Sequence, residues 1–322
     1  MKPAVSILIP CYNAERWIAQ AIESALSQSL ENCEVIVYDD GSTDSSPAII
    51  RSFGSAIRYE RGSNRGGGAA RNRLVEMGRA DWLQFLDADD YLMPDKIENQ
   101  YRMARHSGAD LLFGPVLIDR GGELEPLPIP CPHDDPWILL ARWFLPQTGS
   151  PLWRKQAIVD AGGWKLGQPC CQEHELYFRL LRDGARFEYL EDGGAVYRKW
   201  SDQTVCERDP VLVIGQRLQI ENSIEHTLRS RGELTAARLR AINQARFESA
   251  RSAWRYDRPL ARSIIRSIRL SQRDFQPGGD AGPPSYALIY RLFGFAAAEK
   301  LAASIRRFRQ RTELSPLSHS NA

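Results

Sequence analysis

Two carboxylates stand two residues apart in the run Phe85-Leu-Asp-Ala-Asp-Asp90. The preceding residues, Trp82-Leu83-Gln84-Phe85-Leu86, read as a strand, so Asp87 and Asp89 fall on the turn at its carboxyl end. Carboxylates held that way can address one hard divalent cation, Mg²⁺ or Mn²⁺, together with a diphosphate that the ion bridges. The same pattern also suits a plain acidic turn that caps a helix starting near Pro94. A second acidic run, Asp39-Asp40-Gly41-Ser42-Thr43-Asp44, follows the strand-like Val35-Ile36-Val37-Tyr38. Its carboxylates can accept hydrogen bonds from a base N–H or a ribose hydroxyl, Gly41 permits close approach of the backbone, and Asp44 suits a helix N-cap. The third segment, Asn64-Arg65-Gly66-Gly67-Gly68-Ala69-Ala70-Arg71-Asn72, is a glycine loop entering a helix, a setting that holds phosphate, and Arg71 adds charge-assisted hydrogen bonds. It is no dinucleotide fingerprint, because Arg71 takes the place of the third glycine, and no Walker loop, because no Gly-Lys-Ser/Thr follows.

These segments need elements to carry them. Val5 to Ile9 reads as a strand, and Ala14 to Gln28 has the apolar period of a helix that packs on it. Val35 to Tyr38, a helix over 45–53, a strand near 57–59 and a helix over 69–77 continue the alternation up to Trp82. Strands alternating with helices form a largely parallel sheet, and ligands bind beyond the carboxyl ends of its strands. Pro10 to Asn13, Asp39 to Ser42, Asn64 to Gly68 and Asp87 to Asp90 all lie at such ends. Between Pro115 and Pro151 the richness in proline and glycine predicts an irregular connection. A short helix over 156–161 ended by Gly162-Gly163, an amphipathic helix over 173–183, and helices from Asp209-Pro210 onward complete the reading.

Length and composition bound the answer. A chain of 322 residues exceeds most single cores, so two regions are expected, 1–208 and 209–322. Hydrophobic residues at 43% and charged residues at 25% exclude a disordered or fibrous chain. Residues 211–322 hold 19 Lys+Arg and 9 Asp+Glu, net +10, whereas residues 1–210 hold 23 and 31, net −8. The acidic part suits a metal-assisted site and the basic part an anionic surface. No nucleic-acid motif accompanies the basic part, so no nucleic-acid partner is expected. The six cysteines are expected as thiols, and neither Cys131-Pro-His133 nor Cys170-Cys171-Gln-Glu-His174 has zinc-ligand spacing. No stretch reaches the ~20 apolar residues of a membrane span, and the expected location is the cytoplasm.

The chain from Val5 to roughly Ser201 resembles an inverting family 2 glycosyltransferase. The resemblance rests on Val5-Ser-Ile-Leu-Ile-Pro-Cys-Tyr-Asn13, Tyr38-Asp-Asp-Gly-Ser-Thr-Asp44, Asn64 to Asn72 and Phe85-Leu-Asp-Ala-Asp-Asp90, in that order. It implies an α/β GT-A nucleotide-diphospho-sugar transferase sandwich: a mostly parallel central sheet flanked by helices, here with an α-helical C-terminal extension. It implies that Pro10, Tyr12 and Asn13 border the nucleotide, that Asp39 reads the base with Asp40 near the ribose, and that Gly67 and Arg71 lie by the nucleotide. Asp87 and Ala88 would complete the donor site, with Asp89 holding the metal and Asp87 supporting it. The implied donor is a nucleotide-diphospho-sugar, a UDP-sugar being the first expectation because Asp39 can accept from a pyrimidine imide N–H.

The family's Gly-Gly-aromatic segment and acidic pair correspond to Gly162-Gly163-Trp164 and Gln172-Glu173, with Gln172-Glu173 replacing Glu-Asp. Glu173 thus falls where the family places its base; Glu175 is the alternative base, and His174 and Trp164 are assigned to the acceptor or sugar pocket. An inverting transfer needs one carboxylate to take the proton of the attacking hydroxyl and no covalent intermediate. The implied acceptor is a saccharide or lipid-linked hydroxyl in polysaccharide or glycoconjugate synthesis. Competing readings are a sugar-1-phosphate nucleotidyltransferase, whose glycine-rich N-terminal loop is absent, and a nucleotide-sugar-binding module without transfer. Arg198 and Lys199 read equally as phosphate contacts or as a solvated basic turn. The last helix, near 286–309, mixes apolar and basic residues; it can pack on its own domain, form a homodimer face, or lie in a membrane interface at the inner face through 285–309.

Overall fold

The computed structural model describes residues 2–199 and 209–313, with side chains as far as 305. Ser201 and the side chains of 306–309, which the sequence reading covers, lie outside the described residues. The chain divides into two compact units, 1–208 and 209–322.

In the first unit, β1 (Val5–Cys11), β2 (Cys33–Asp39), β3 (Arg58–Arg61) and β4 (Trp82–Phe85) run parallel, with β1 paired between β2 and β4. The connecting helices are α1 (Ile18–Leu26), α2 (Ser46–Ser52) and α3 (Gly67–Met77). Val5, Ile7, Leu8 and Ile9 are fully buried, because a parallel sheet is covered on both faces. Beyond β4 come β5 (Tyr91–Leu92), α4 (Lys96–Ala104), β6 (Leu111–Phe113), β7 (Val116–Asp119), β8 (Leu124–Leu127), α5 (Pro136–Ala141), β9 (Leu152–Arg154), α6 (Lys155–Asp160), α7 (Gln172–Arg182), β10 (Phe187–Tyr189) and β11 (Ala195–Arg198). The main sheet has the order β10-β6-β9-β4-β1-β2-β3, with β9 antiparallel to both its neighbours. A second sheet has the order β5-β11-β7-β8, and Arg198 at the end of β11 bonds to Asp89 and Asp90 in the turn that follows β4.

The segment expected as irregular, 115–151, instead contains β7, β8 and α5. The β7–β8 pair is an antiparallel hairpin, and β7 also pairs with β11, about eighty residues further on. A partner so distant leaves no local signature.

The second unit is helical: α8 (Pro210–Ser230), α9 (Ala236–Ala253), α10 (Arg258–Ser271) and α11 (Pro284–Glu313). The side chains of Asp209, Thr235 and Asp257 accept from the backbone N–H of Leu212, Arg238 and Leu260, closing the amino ends of the first three. Gly294, at φ 79°, breaks α11. Phe247 is the hub of the core, with the rings of Phe275, Tyr286, Tyr290 and Phe295 at 5.6–6.0 Å. The last helix therefore packs within its own unit along one face. Leu288, Leu292, Phe293, Leu301 and Ile305 remain exposed on it.

Candidate active site

The carboxyl ends of β1, β2 and β4, with the loop before α3, surround a cleft of about 800 Å³. Asn13 takes a left-handed turn (φ 49°) and is clasped to the acidic run after β2: its side-chain oxygen accepts from Thr43 N–H at 2.8 Å, and its own N–H donates to Ser42 Oγ at 3.0 Å. Gly41 (φ 80°) packs against the third loop, where a Cβ would stand 2.8 Å from Asn64 N. Asp40, nearly buried, then accepts from the N–H groups of Arg65 and Gly66 at 2.9 and 2.8 Å. The glycine loop is thus fixed by a carboxylate, with Gly66 (φ 87°) at the amino end of α3. Of the donor residues expected, Pro10, Tyr12, Asn13, Asp40, Gly67, Arg71, Asp87, Ala88 and Asp89 all line this cleft.

Asp39 does not. It is fully buried, with Oδ1 accepting Ser42 N–H at 2.8 Å and Oδ2 3.1 Å from Arg61 Nε and 3.3 Å from the Tyr59 hydroxyl. Successive residues of a strand point to opposite sides, so at this strand end Asp40 borders the cleft while Asp39 braces its floor. The assignment of base reading to Asp39 is corrected accordingly.

Arg71, on α3, is the centre of the site. Its Nη2 donates to Asp87 Oδ1 at 2.6 Å, its Nη1 donates to Gln172 Oε1 at 2.9 Å, and its guanidinium lies over the Trp164 ring at 5.0 Å. Its buried Nε–H has no acceptor among the described residues. Gln172 in turn donates to the Gln168 carbonyl at 2.8 Å, so one guanidinium ties the turn after β4 to the first residue of α7. A second cavity, a groove of about 590 Å³, shares Gly66, Gly67, Arg71 and Asp87 with the cleft and is bordered on its far side by Cys170, Cys171, Gln172 and Glu173.

Glu173 is half-buried in that groove. Burial raises its carboxyl pKa and the Asp87 charge adds to the rise, while its own backbone N–H and the Arg71 cation oppose it. Glu175, the alternative base, is disposed of by geometry. It faces Arg179 one turn on, with Arg179 Nη2 2.7 Å from Oε2 and Nε 3.0 Å from Oε1, and it borders neither cavity. His174 also misses the groove: its ring stacks on Trp143 at 4.3 Å, with Tyr177 edge-on at 5.7 Å. Trp164 is 2% exposed, set edge-on to Phe85 at 5.2 Å and beside Trp153 at 6.0 Å. Both assignments to the acceptor pocket are corrected: these are core aromatics, and Trp164 serves the site only by supporting Arg71. Asn72 fixes its backbone, accepting from Trp164 N–H at 2.7 Å and donating to its carbonyl at 2.8 Å.

Arg198 is a residue whose role the sequence left undecided. It is buried under the acidic turn, where Nη1 donates to the Asp89 carbonyl at 2.7 Å and Nη2 to Gln20 Oε1 at 2.6 Å. The rings of Trp17 and Tyr91 lie 4.3 and 5.1 Å from its guanidinium. Asp90 accepts from Arg198 N–H at 2.9 Å, and burial, with Asp89 and Asp87 beside it, pushes the Asp90 carboxyl well above the usual range. The turn is therefore anchored from below, leaving Asp87 and Asp89 toward the cleft.

Among the described residues no group of three or more His, Cys, Asp or Glu side chains forms a complete metal cage. Mg²⁺ and Mn²⁺ do not require one; they are held by one or two carboxylates plus substrate phosphates and water. Asp89 with Asp87 on the lining of the cleft fits that donor set.

A mostly parallel sheet carrying an acidic turn, a glycine loop and an arginine fork at its strand ends defines a GT-A type α/β protein. Residues 6–150 match the family model Glycosyl transferase family 2. Over 102 residues the chain is 42% identical to an uncharacterized glycosyltransferase of Haemophilus influenzae, covering 30% of this chain and 41% of that one. Over 99 residues it is 39% identical to the chondroitin synthase of Escherichia coli, covering 30% of this chain and 14% of that one. These matches span between 14% and 41% of the length of the curated relatives. Residues 1–349 of S. aureus TarS in complex with UDP-GlcNAc share the fold at a TM-score of 0.61 and 15% identity, over 84% of this chain and 91% of that one. The mannosyltransferase PcManGT of Pyrobaculum calidifontis, in complex with GDP-Man and Mn²⁺, aligns at 0.53 and 14% identity, over 96% and 88%. The likeness to glycosyl transferase family 2 thus lies in residues 6–150, inside the first unit, and the solved structures share the fold.

Proposed function

We propose that the chain is an inverting glycosyltransferase that moves a sugar from a nucleotide-diphosphate donor to an acceptor hydroxyl, in polysaccharide or glycoconjugate synthesis. The observation that carries the proposal is the Arg71 fork, which joins Asp87 at the donor cleft to Gln172, the neighbour of Glu173, in the contiguous groove. The diphosphate lies against the glycine loop and Arg71, whose cation meets the phosphate charge. The acceptor enters the groove, and Glu173 takes the proton of its hydroxyl as the oxygen attacks the anomeric carbon from the side opposite the diphosphate. A half-buried carboxylate with a raised pKa is a stronger base than a solvated one, which suits that task. Asp89 with Asp87 would hold Mg²⁺ or Mn²⁺, which when bound supplies charge to the leaving diphosphate.

A UDP-sugar is the donor we favour. TarS, the fold neighbour at the higher of the two TM-scores above, was crystallised with UDP-GlcNAc. The test is a thermal-shift screen of UDP, GDP and TDP with Mn²⁺, followed by nucleotide release from sugars of the base that stabilises. A preference for GDP would overturn the donor assignment, and binding without turnover over a broad acceptor set would favour a binding module. We further assign the exposed face formed by Leu288, Leu292 and Phe293, with Arg291 beside it, to peripheral contact with an anionic bilayer at the inner face of the cytoplasmic membrane. No helix among the described residues is long and apolar enough to cross a membrane. Flotation with vesicles containing phosphatidylserine should carry the full chain and leave the L292E/F293E variant behind; equal flotation would end this assignment.

A further inference from the structure

Cys170 and Cys171 are adjacent in sequence, both border the groove beside Glu173, and their sulfurs stand 3.9 Å apart. Both are thiols. Cys171 caps the amino end of α7 in a left-handed conformation (φ 57°), and its carbonyl accepts from Glu175 N–H at 3.1 Å. Cys170 is buried, its carbonyl accepting from Gln168 Nε2 at 2.9 Å. The pair is therefore built into the start of the helix that carries Gln172 and Glu173.

We propose that Cys170 and Cys171 are a redox modification site that closes to a vicinal disulfide under a low-molecular-weight disulfide oxidant and shuts down the groove. One thiolate attacks the oxidant and releases one thiol, giving a mixed disulfide. The neighbouring thiolate displaces the second thiol, so each cysteine loses its proton, two electrons pass to the oxidant, and two small thiols leave. Closure brings the sulfurs from 3.9 Å to the bonding distance of about 2.05 Å. Consecutive Cα atoms are about 3.8 Å apart, below the usual disulfide span of about 4.4–6.8 Å, so the ring is strained and its backbone torsions must change. The torsions of Cys171 set the first turn of α7, hence the placement of Glu173 and of the Gln172 amide that receives Arg71. Strain also raises the potential of the bond, which marks it as readily reduced.

The other described thiols are poorly suited to this chemistry. Burial pushes Cys11 up to about 11 and Cys33 to about 12, and Cys131 is exposed with no described cysteine beside it.

The consequence for transfer rests on the acceptor reading of the groove; the modification itself does not. The full chain is incubated with oxidised glutathione, remaining thiols are blocked, and the protein is digested and mapped by mass spectrometry. The peptide spanning Cys170 and Cys171 should then run about 2 Da below its reduced form without blocking label, and dithiothreitol should restore it. C170S and C171S should each show a glutathione adduct on the remaining cysteine instead. Oxidised wild type should lose at least tenfold in nucleotide release driven by acceptor, while the C170S/C171S double variant, which can form neither crosslink nor adduct there, gives the same rate before and after treatment. Blocking label on both cysteines after oxidation would overturn the site, and an intact crosslink with unchanged transfer would overturn its control of the groove. A crosslink in a protein that transfers no sugar at all would leave the site standing and sink the proposed function instead.

Discussion

Replacing Glu173 by glutamine keeps the shape of the side chain and deletes its basicity. Loss of a positioned general base costs about 10²–10⁴-fold in rate. At 1.36 kcal/mol for each tenfold, that is about 3–5 kcal/mol of barrier. The raised pKa puts Glu173 nearer the working pH than a solvated glutamate, so the loss belongs in the upper part of that range, about 10³-fold or more. Donor binding should be spared, because Glu173 borders the groove and not the donor cleft. It should even tighten slightly, since a negative charge leaves the neighbourhood of Asp87. Initial rates of nucleotide release with saturating acceptor give kcat, and calorimetry with the donor and Mn²⁺ gives Kd. The sign of the pH effect is fixed: a base must be unprotonated, so wild-type kcat falls as pH drops through a pKa above the ordinary glutamate value, and the variant loses that limb. A variant that keeps more than a tenth of the wild-type rate, or keeps the acid limb in its residual rate, refutes the assignment. Glu175 cannot then be substituted as the base without explaining how it leaves Arg179.

Glu175→Gln should lower stability by about 2–4 kcal/mol, because its pairing with Arg179 is about nine-tenths buried and one partner is left charged. Its Tm drops by several degrees while turnover per folded molecule is kept, which differential scanning fluorimetry and a rate assay on the same sample will separate. Arg71→Met retains a stem over Trp164 but deletes both forks; with Asp87 about one-third exposed, the loss should be about 1–2 kcal/mol, or ~5–30-fold in donor Kd by calorimetry. For Asp89→Asn, donor affinity should be the same in Mn²⁺ as in EDTA, and a remaining Mn²⁺ effect would assign the ion elsewhere. Arg198→Met leaves the Asp89 carbonyl without its donor and Asp90 without its nearby cation, so the Mn²⁺ concentration for half-maximal rate should rise several-fold, read from a metal titration.

The donor side was legible because chemistry and element boundaries coincide in the sequence. Each apolar run ends in the polar residues that form the cleft, and a parallel sheet can only gather them at one edge. What the pattern could not supply was side. Asp39 and Asp40 are equivalent as letters, and only the strand's pleat, with Arg61 and Tyr59 arriving from β3, decides which of them is sealed in. The acceptor side was less legible because its aromatics look alike whether they bind sugar or fill a core. Trp164, in the turn after α6, is claimed by Phe85 of β4 and Trp153 of β9, contacts with no sequence signature. Glu175 did carry one: an acid four residues before Arg179 on a helix is a pairing pattern, and weighed as such it points away from catalysis. Lys96 is a comparable case, fully buried with its ammonium donating to Gln84 and its pKa pushed well down by burial, where a lysine on a helix start reads as solvated.

The two cavities cannot be tuned independently, because the residues between them are the same residues. Asp87 has one oxygen held by Arg71, and Arg71 has one nitrogen held by Gln172, so any anion that draws the guanidinium toward the cleft weakens its hold on the start of α7. A glutamate at 172 would bind that guanidinium with a full charge; the glutamine present binds it with a dipole. The neutral partner leaves more of the cation's field for the donor phosphate, at the cost of a weaker anchor for Glu173. Gln172→Glu should therefore weaken donor binding while holding Glu173 more firmly, a trade in Kd against kcat that a change confined to either cavity would not produce.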